Sequence, residues 1–220
     1  GLHFPAPLSK PAAEALPVRF VLNGLAASGN VAHDELRISL GQLAQARYLR
    51  EKTGKGPWMV SAGGIGVNNP APEPDSGLLL NVSLKSLNVD QWTSLGNEIA
   101  GGAGGSPARG SGGPGLAQYV VPDVMAARAT ELIVSDRRLD EVVVGATHTK
   151  GTWQASIDSK QIGGYLTWND AAGQNLGKVT ARLSSLVIPK SAQDEVKDLL
   201  EGEKNGSASI PALDVVAEHF

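Results

Sequence analysis

Apolar residues recur at every second position along most of this chain, and no other feature constrains its fold as strongly. A period of two belongs to a strand with one covered face, whereas a helix repeats every 3.6 residues or so. Residues 16–23 place Leu16, Val18, Phe20 and Leu22 on one side, and residues 35–40 alternate in the same way. Residues 58–62 follow the turn Thr53-Gly54-Lys55-Gly56-Pro57, and residues 78–85 align Leu78, Leu80, Val82 and Leu84. The pattern resumes at 129–134, 139–146, 153–158 (behind the turn Thr149-Lys150-Gly151), 162–168, 179–183 and 212–220. Turns at this spacing predict a mainly β chain of about eleven strands. The 27 glycines and 13 prolines are the turn residues such a chain needs, and they argue against a helical bundle.

Two stretches break the pattern. Residues 90–99 put Trp92, Leu95 and Ile99 at helical spacing, with Asp90 as the expected N-cap. Residues 191–195 resemble a capping box, and Val196, Leu199 and Leu200 form a stripe behind it. Both read as short helices whose apolar stripes cover the sheet. Residues 101–115, GGAGGSPARGSGGPG, offer no side chain for a core and read as a linker or loop. They lack the G-x-x-x-x-G-K-[ST] pattern of a phosphate loop.

The two sides of that linker resemble each other. Glu35-Leu36-Arg37-Ile38-Ser39 matches Glu131-Leu132-Ile133-Val134-Ser135, and the run from Lys55 to Ser61 matches that from Lys150 to Ser156, Trp58 falling on Trp153. Ile65-Gly66 matches Ile162-Gly163, and the run from Leu84 to Val89 matches that from Leu183 to Ile188. The order is kept, which predicts a duplicated unit. The expected organisation is a first β-groove unit at 1–100, a Gly-rich linker at 101–115 and a second unit at 116–220 that ends at the start of a third. A duplicated strand unit predicts an elongated, curled antiparallel sheet with one or two short helices. Stacked at ~4.8 Å, eleven strands would span roughly 50 Å.

Little in the sequence supports chemistry. There is no cysteine, which excludes disulfides and thiolate sites, and the net charge of -3 does not suit a general nucleic-acid binder. His3, His33, His148 and His219 have no metal-ligand spacing, so no metal or cofactor is expected. His33-Asp34-Glu35 and His148 both read as parts of solvated turns. No serine occupies a nucleophile elbow and no acid/base pair stands out, so an enzyme is not expected. The tryptophans Trp58, Trp92, Trp153 and Trp168 read either as core anchors or as the lining of a surface that meets an amphiphile. No apolar run is long enough to span a membrane. The alternation at 213–218 runs into Phe220, which predicts a piece of something longer whose signal or anchor lies outside it.

Several motifs carry a family resemblance. Residues 4–17, with Pro5-Ala6-Pro7, Lys10-Pro11 and Glu14, resemble the P-A-P-x-x-K-P-x-x-E-x-x-P-L segment of YhdP-type proteins in the AsmA-like superfamily. Gly63-Gly64-Ile65 with Pro70 is similar to their G-G-I-x-x-x-x-P segment. Gly163-Gly164-Tyr165-Leu166-Thr167-Trp168 and the run from Val179 to Pro189 resemble their G-x-(I/V)-x-W and V-x-A-R-L-x-x-L-x-I-P segments. Pro211-Ala212-Leu213-Asp214-Val215 looks like the P-A-L-D-(I/V) start of the next unit.

The resemblance implies a role. Such proteins are anchored in the inner membrane of Gram-negative bacteria and send a long β-groove across the periplasm. They are implicated in moving phospholipid toward the outer membrane and in maintaining its barrier. The family has no catalytic residues to carry over. This chain would be an internal segment of the groove, in contact with acyl chains and with adjoining segments of the same longer chain. Its expected lining residues are Val18, Phe20, Leu22, Ile38, Leu80, Val82, Leu84, Trp153, Ile162, Leu166, Val179 and Leu183. Arg19, Ser83, Lys85, Thr167, Thr180 and Arg182 would face water. The alternative is a structural β-repeat or sandwich module that binds other envelope proteins through its edges.

Overall fold

The computed structural model describes residues 5–6, 9, 16–91, 94, 115, 117–134, 137–169, 178–187 and 212–217. The alternating runs become strands joined by tight turns. At Lys150-Gly151 both residues have positive φ (52° and 74°), the backbone of a two-residue hairpin turn whose twist matches that of its strands. The elements in order are β1 (Val18–Ser28), β2 (Val31–Leu40), β3 (Ala44–Thr53), β4 (Met59–Val67) and β5 (Gly77–Asn88). A single-turn helix α1 (Ala117–Val120) follows. Then come β6 (Val124–Val134), β7 (Arg137–Thr149), β8 (Thr152–Asp158), β9 (Ile162–Asn169), β10 (Lys178–Leu186) and β11 (Ala212–Ala217).

All eleven strands lie side by side in chain order in one curled sheet, with β1 and β11 at opposite edges, so the sheet is open. Substantial packing among the described residues joins each strand to its neighbours in that order, and α1 to β4. Most ladders are antiparallel. The exceptions are β4/β5, β5/β6 and β10/β11, which are parallel. A parallel neighbour requires the chain to cross over the sheet before it pairs again.

The first crossover, residues 68–76, explains the glycines of β4. A Cβ on Gly64 would lie 1.8 Å from the Pro72 carbonyl oxygen, and one on Gly66 would lie 2.2 Å from that of Asn69. Only hydrogen at these positions lets the Pro-rich segment lie flat on the strand.

Three expectations change. β3 was not expected as a strand, because AQARYLREKT is rich in residues with high helix propensity. The helical turn at 89–91 is capped by Asn88, whose Oδ1 accepts from the Gln91 N–H at 3.0 Å, and not by Asp90. The repeat is also in a different register. The meanders β1–β4 and β6–β9 correspond, and each is followed by a strand, β5 or β10, whose next neighbour is parallel. The matches at Ile65/Ile162 and Leu84/Leu183 fall on corresponding strands. The other two pair β2 with β6, and the loop before β4 with β8. Alternating strands resemble one another whatever their place, so short matches slip by a strand. The stripe Trp92, Leu95 and Ile99, the expected helix after Ser191 and the linker before Gly115 lie outside the described residues.

Candidate functional site

Register decides which side chains share a face, because partners across a ladder point the same way. One unbroken row runs Phe20–Ile38–Ala46–Ile65–Leu80–Met125–Ala146–Ala155–Leu166–Ala181 from β1 to β10. The next row on the same face runs Val18–Leu40–Ala44–Val67–Val82–Ala127–Val144–Ile157–Gly164–Leu183. Neither row holds a polar side chain. The opposite face carries Arg19–Ser39–Gln45–Gly66–Asn81–Ala126–Gly145–Ser156–Tyr165–Arg182 in the corresponding row.

Every residue expected at the lining falls on the apolar face. Leu22, Leu84, Trp153 and Val179 join it in flanking rows, and Ile162 follows by alternation from Gly164. The small and sulfur-containing members Ala46, Met125, Ala146, Ala155 and Ala181, together with Ile65 and Val67, were not picked out. For all but Ala46, whose strand β3 reads as helix-favouring, the alternation of the strand was the available signal.

No described second layer covers this face. On this face Leu78 and Val142 are each only 3% exposed. On the edge strand β1 Phe20 is 67% exposed. No large side chain among the described residues is fully buried.

Polar groups bound the apolar rows on both sides. Near the end of β3, Asp34 accepts two hydrogen bonds from Arg50, at 2.8 and 2.7 Å. Arg50 also stacks 5.2 Å from the Trp58 ring and donates to the Tyr119 hydroxyl of α1 at 3.3 Å. Tyr48 donates to the Tyr119 carbonyl at 2.8 Å and meets its ring edge-on at 5.2 Å, so α1 lies over this corner of the apolar face. Further along the same border His148 stacks on Trp153 at 4.6 Å, and Trp153 on Trp168 at 5.3 Å. At the opposite ends of the strands, Arg138 bridges Asp140 (2.8 Å) and Glu131 (3.1 Å), and Gln161 donates to Asp140 at 2.8 Å.

Two solvated-turn readings are thereby corrected. His33, Asp34 and Glu35 lie within β2, and both carboxylates are buried. Glu35, on the polar face, accepts from Arg37, Arg47 and Asn23. Its pKa falls from 4.5 to about 2: the Arg37 hydrogen bond drives it down, burial opposes it, and Arg47 and Asn23 add to the fall. His148 is a strand residue in a ring stack, not a turn imidazole. Trp58 and Trp153 do not occupy equivalent places, since Trp58 precedes β4 whereas Trp153 lies in β8.

Among the described residues no group of three or more His, Asp or Glu could hold a metal ion. None of their helices is long and apolar enough to cross a membrane. What the arrangement offers is an apolar surface, roughly 40 Å along the rows at strand spacing, between polar borders.

No curated protein and no solved structure matches the chain. The family described as YhdP protein matches it over residues 1–220. With that match covering the whole sequence, the chain that builds this one-sided open sheet belongs to the YhdP family.

Proposed function

We propose that this chain is a segment of a bridge-like conduit in the Gram-negative cell envelope, carrying phospholipid between inner and outer membranes. The observation that carries the reading is the pair of unbroken apolar rows on a face that no second layer covers among the described residues. Membership of the YhdP family, and through it the AsmA-like likeness, supplies the setting.

The physics favours lipid tails as the cargo. Each CH₂ kept from water contributes ~0.8 kcal/mol, so a whole acyl chain contributes on the order of 10 kcal/mol. Rows without a polar interruption let a chain slide from strand to strand without meeting an unpaired hydrogen-bonding group. Headgroups stay on the open side, in water. The surface works by solvation and needs no catalytic group. In this reading the protein acts in the periplasm as part of an inner-membrane-anchored chain. Its edges continue into adjoining groove segments, and its loss weakens the outer-membrane barrier.

Photocrosslinkers placed at Phe20, Val82 and Leu166 in living cells test the proposal. Phospholipid adducts at these positions support it. Adducts with proteins alone would favour an interaction module instead.

A further inference from the structure

The two borders of the apolar face differ in chemistry. One is closed by ion pairs among Arg138, Asp140 and Glu131. Over β7, β8 and β9 the other is closed by rings. His148, Trp153 and Trp168 pair across adjacent ladders and stack nearly parallel, with interplanar angles of 20° and 9°. The row inward of them is Ala146, Ala155 and Leu166, apolar throughout. Two residues beyond His148, at the hairpin tip, Lys150 is exposed and makes no ion pair among the described residues.

Indole rings, with an apolar body and one polar N–H, settle where hydrocarbon meets water, at the level of lipid glycerol and headgroup. A lone ammonium just outside them matches a phosphate. We propose that His148, Trp153, Trp168 and Lys150 form a headgroup-level subsite for a diacyl phospholipid. The rings take the glycerol-ester region, Lys150 takes the phosphate, and the tails run inward over Ala155 and Leu166. This rests on the conduit reading and adds a direction to it: bound lipid points its headgroup toward the aromatic border, away from the ionic one.

The test uses the whole chain with Trp58→Phe and Trp92→Phe, which leaves Trp153 and Trp168 as the indole emitters. The protein is loaded from mixed micelles with phosphatidylcholine bearing a nitroxide either on the headgroup or near the end of an acyl chain. Retained lipid is read by co-elution. The headgroup nitroxide is expected to quench at least ~2-fold more strongly than the deep one, as it does for rings at a lipid–water boundary. Lys150→Glu is expected to lower retention of phosphatidylcholine and of phosphatidylglycerol several-fold, since both carry the phosphate, with Lys150→Arg retaining both. Retained lipid with equal or stronger deep quenching overturns the subsite and leaves the conduit reading standing. Unchanged retention of either lipid in Lys150→Glu removes the phosphate contact. No retained lipid at all overturns subsite and conduit together.

Discussion

Asp34 and Arg50 face each other across β2 and β3 and share two parallel hydrogen bonds at the border of the apolar face, with the carboxylate buried. The pair closes the sheet where α1 docks, because the same guanidinium reaches Tyr119 and covers Trp58. Removing one partner leaves the other charge buried and unmatched. Arg50→Ala is therefore expected to cost about 3–5 kcal/mol in urea unfolding, whereas the joint change Asp34→Leu with Arg50→Met costs far less. Equal losses in the two variants would contradict this account of the pair.

Glu35 makes stability depend on pH in acid. Its folded pKa lies below its unfolded one, so its contribution is complete above the unfolded value of 4.5 and is lost as pH falls toward about 2. Glu35→Gln is expected to lower stability by about 1–3 kcal/mol at pH 7 and to flatten the fall in melting temperature between those two pH values. A wild-type curve no steeper than the variant's in that window would show that the arginines do not hold the carboxylate charged.

The crossover against β4 predicts a contrast among glycines. Gly64→Ala and Gly66→Ala place a Cβ inside the backbone of residues 69–72 and are expected to cost at least about 1–3 kcal/mol each. Gly24→Ala in β1 meets nothing within 4 Å and should change the melting temperature little. Thermal unfolding of the three variants checks both halves of the statement.

An open apolar face tolerates what a sealed core would not. Val82 sits in mid-row but is part-exposed, whereas Leu78, two strand pleats away on the same face, is 3% exposed. Val82→Asp should keep the protein folded by circular dichroism yet abolish lipid retention, and Leu78→Asp should unfold it. Retained lipid in folded Val82→Asp would place the cargo elsewhere.

Alternation made most of this architecture legible. It marked the strands whose polar and apolar residues differ clearly, and it placed Val18, Phe20, Leu80, Val82, Leu166 and Leu183 on one side. It failed where tertiary pairing overrides propensity. β3 carries its apolar face on Ala44, Ala46 and Tyr48 among helix-favouring residues, so only its neighbours make it a strand. That omission hid the role of Asp34 and Glu35. Arg50, the partner of Asp34, and Arg47, which joins Arg37 on Glu35, lie on β3, and without that strand the acids read as exposed. The ring stack was hidden for a related reason. His148 stands one residue from the Thr149-Lys150-Gly151 turn, and only the β7/β8 and β8/β9 registers bring it beside Trp153 and Trp168. The parallel ladders were not legible either, since a crossover is set by which strands pair and not by their period.

The central claim is that the apolar face, and not the polar one, carries lipid. Photocrosslinkers at adjacent positions on two strands test it most directly, because neighbours in a strand face opposite ways. Val82 and Leu166 lie on the apolar face, and Ser83 and Thr167 on the polar one. The expected result is phospholipid adducts at Val82 and Leu166 and near-background yield at Ser83 and Thr167. Equal yields on both faces, or adducts confined to Ser83 and Thr167, would contradict the account.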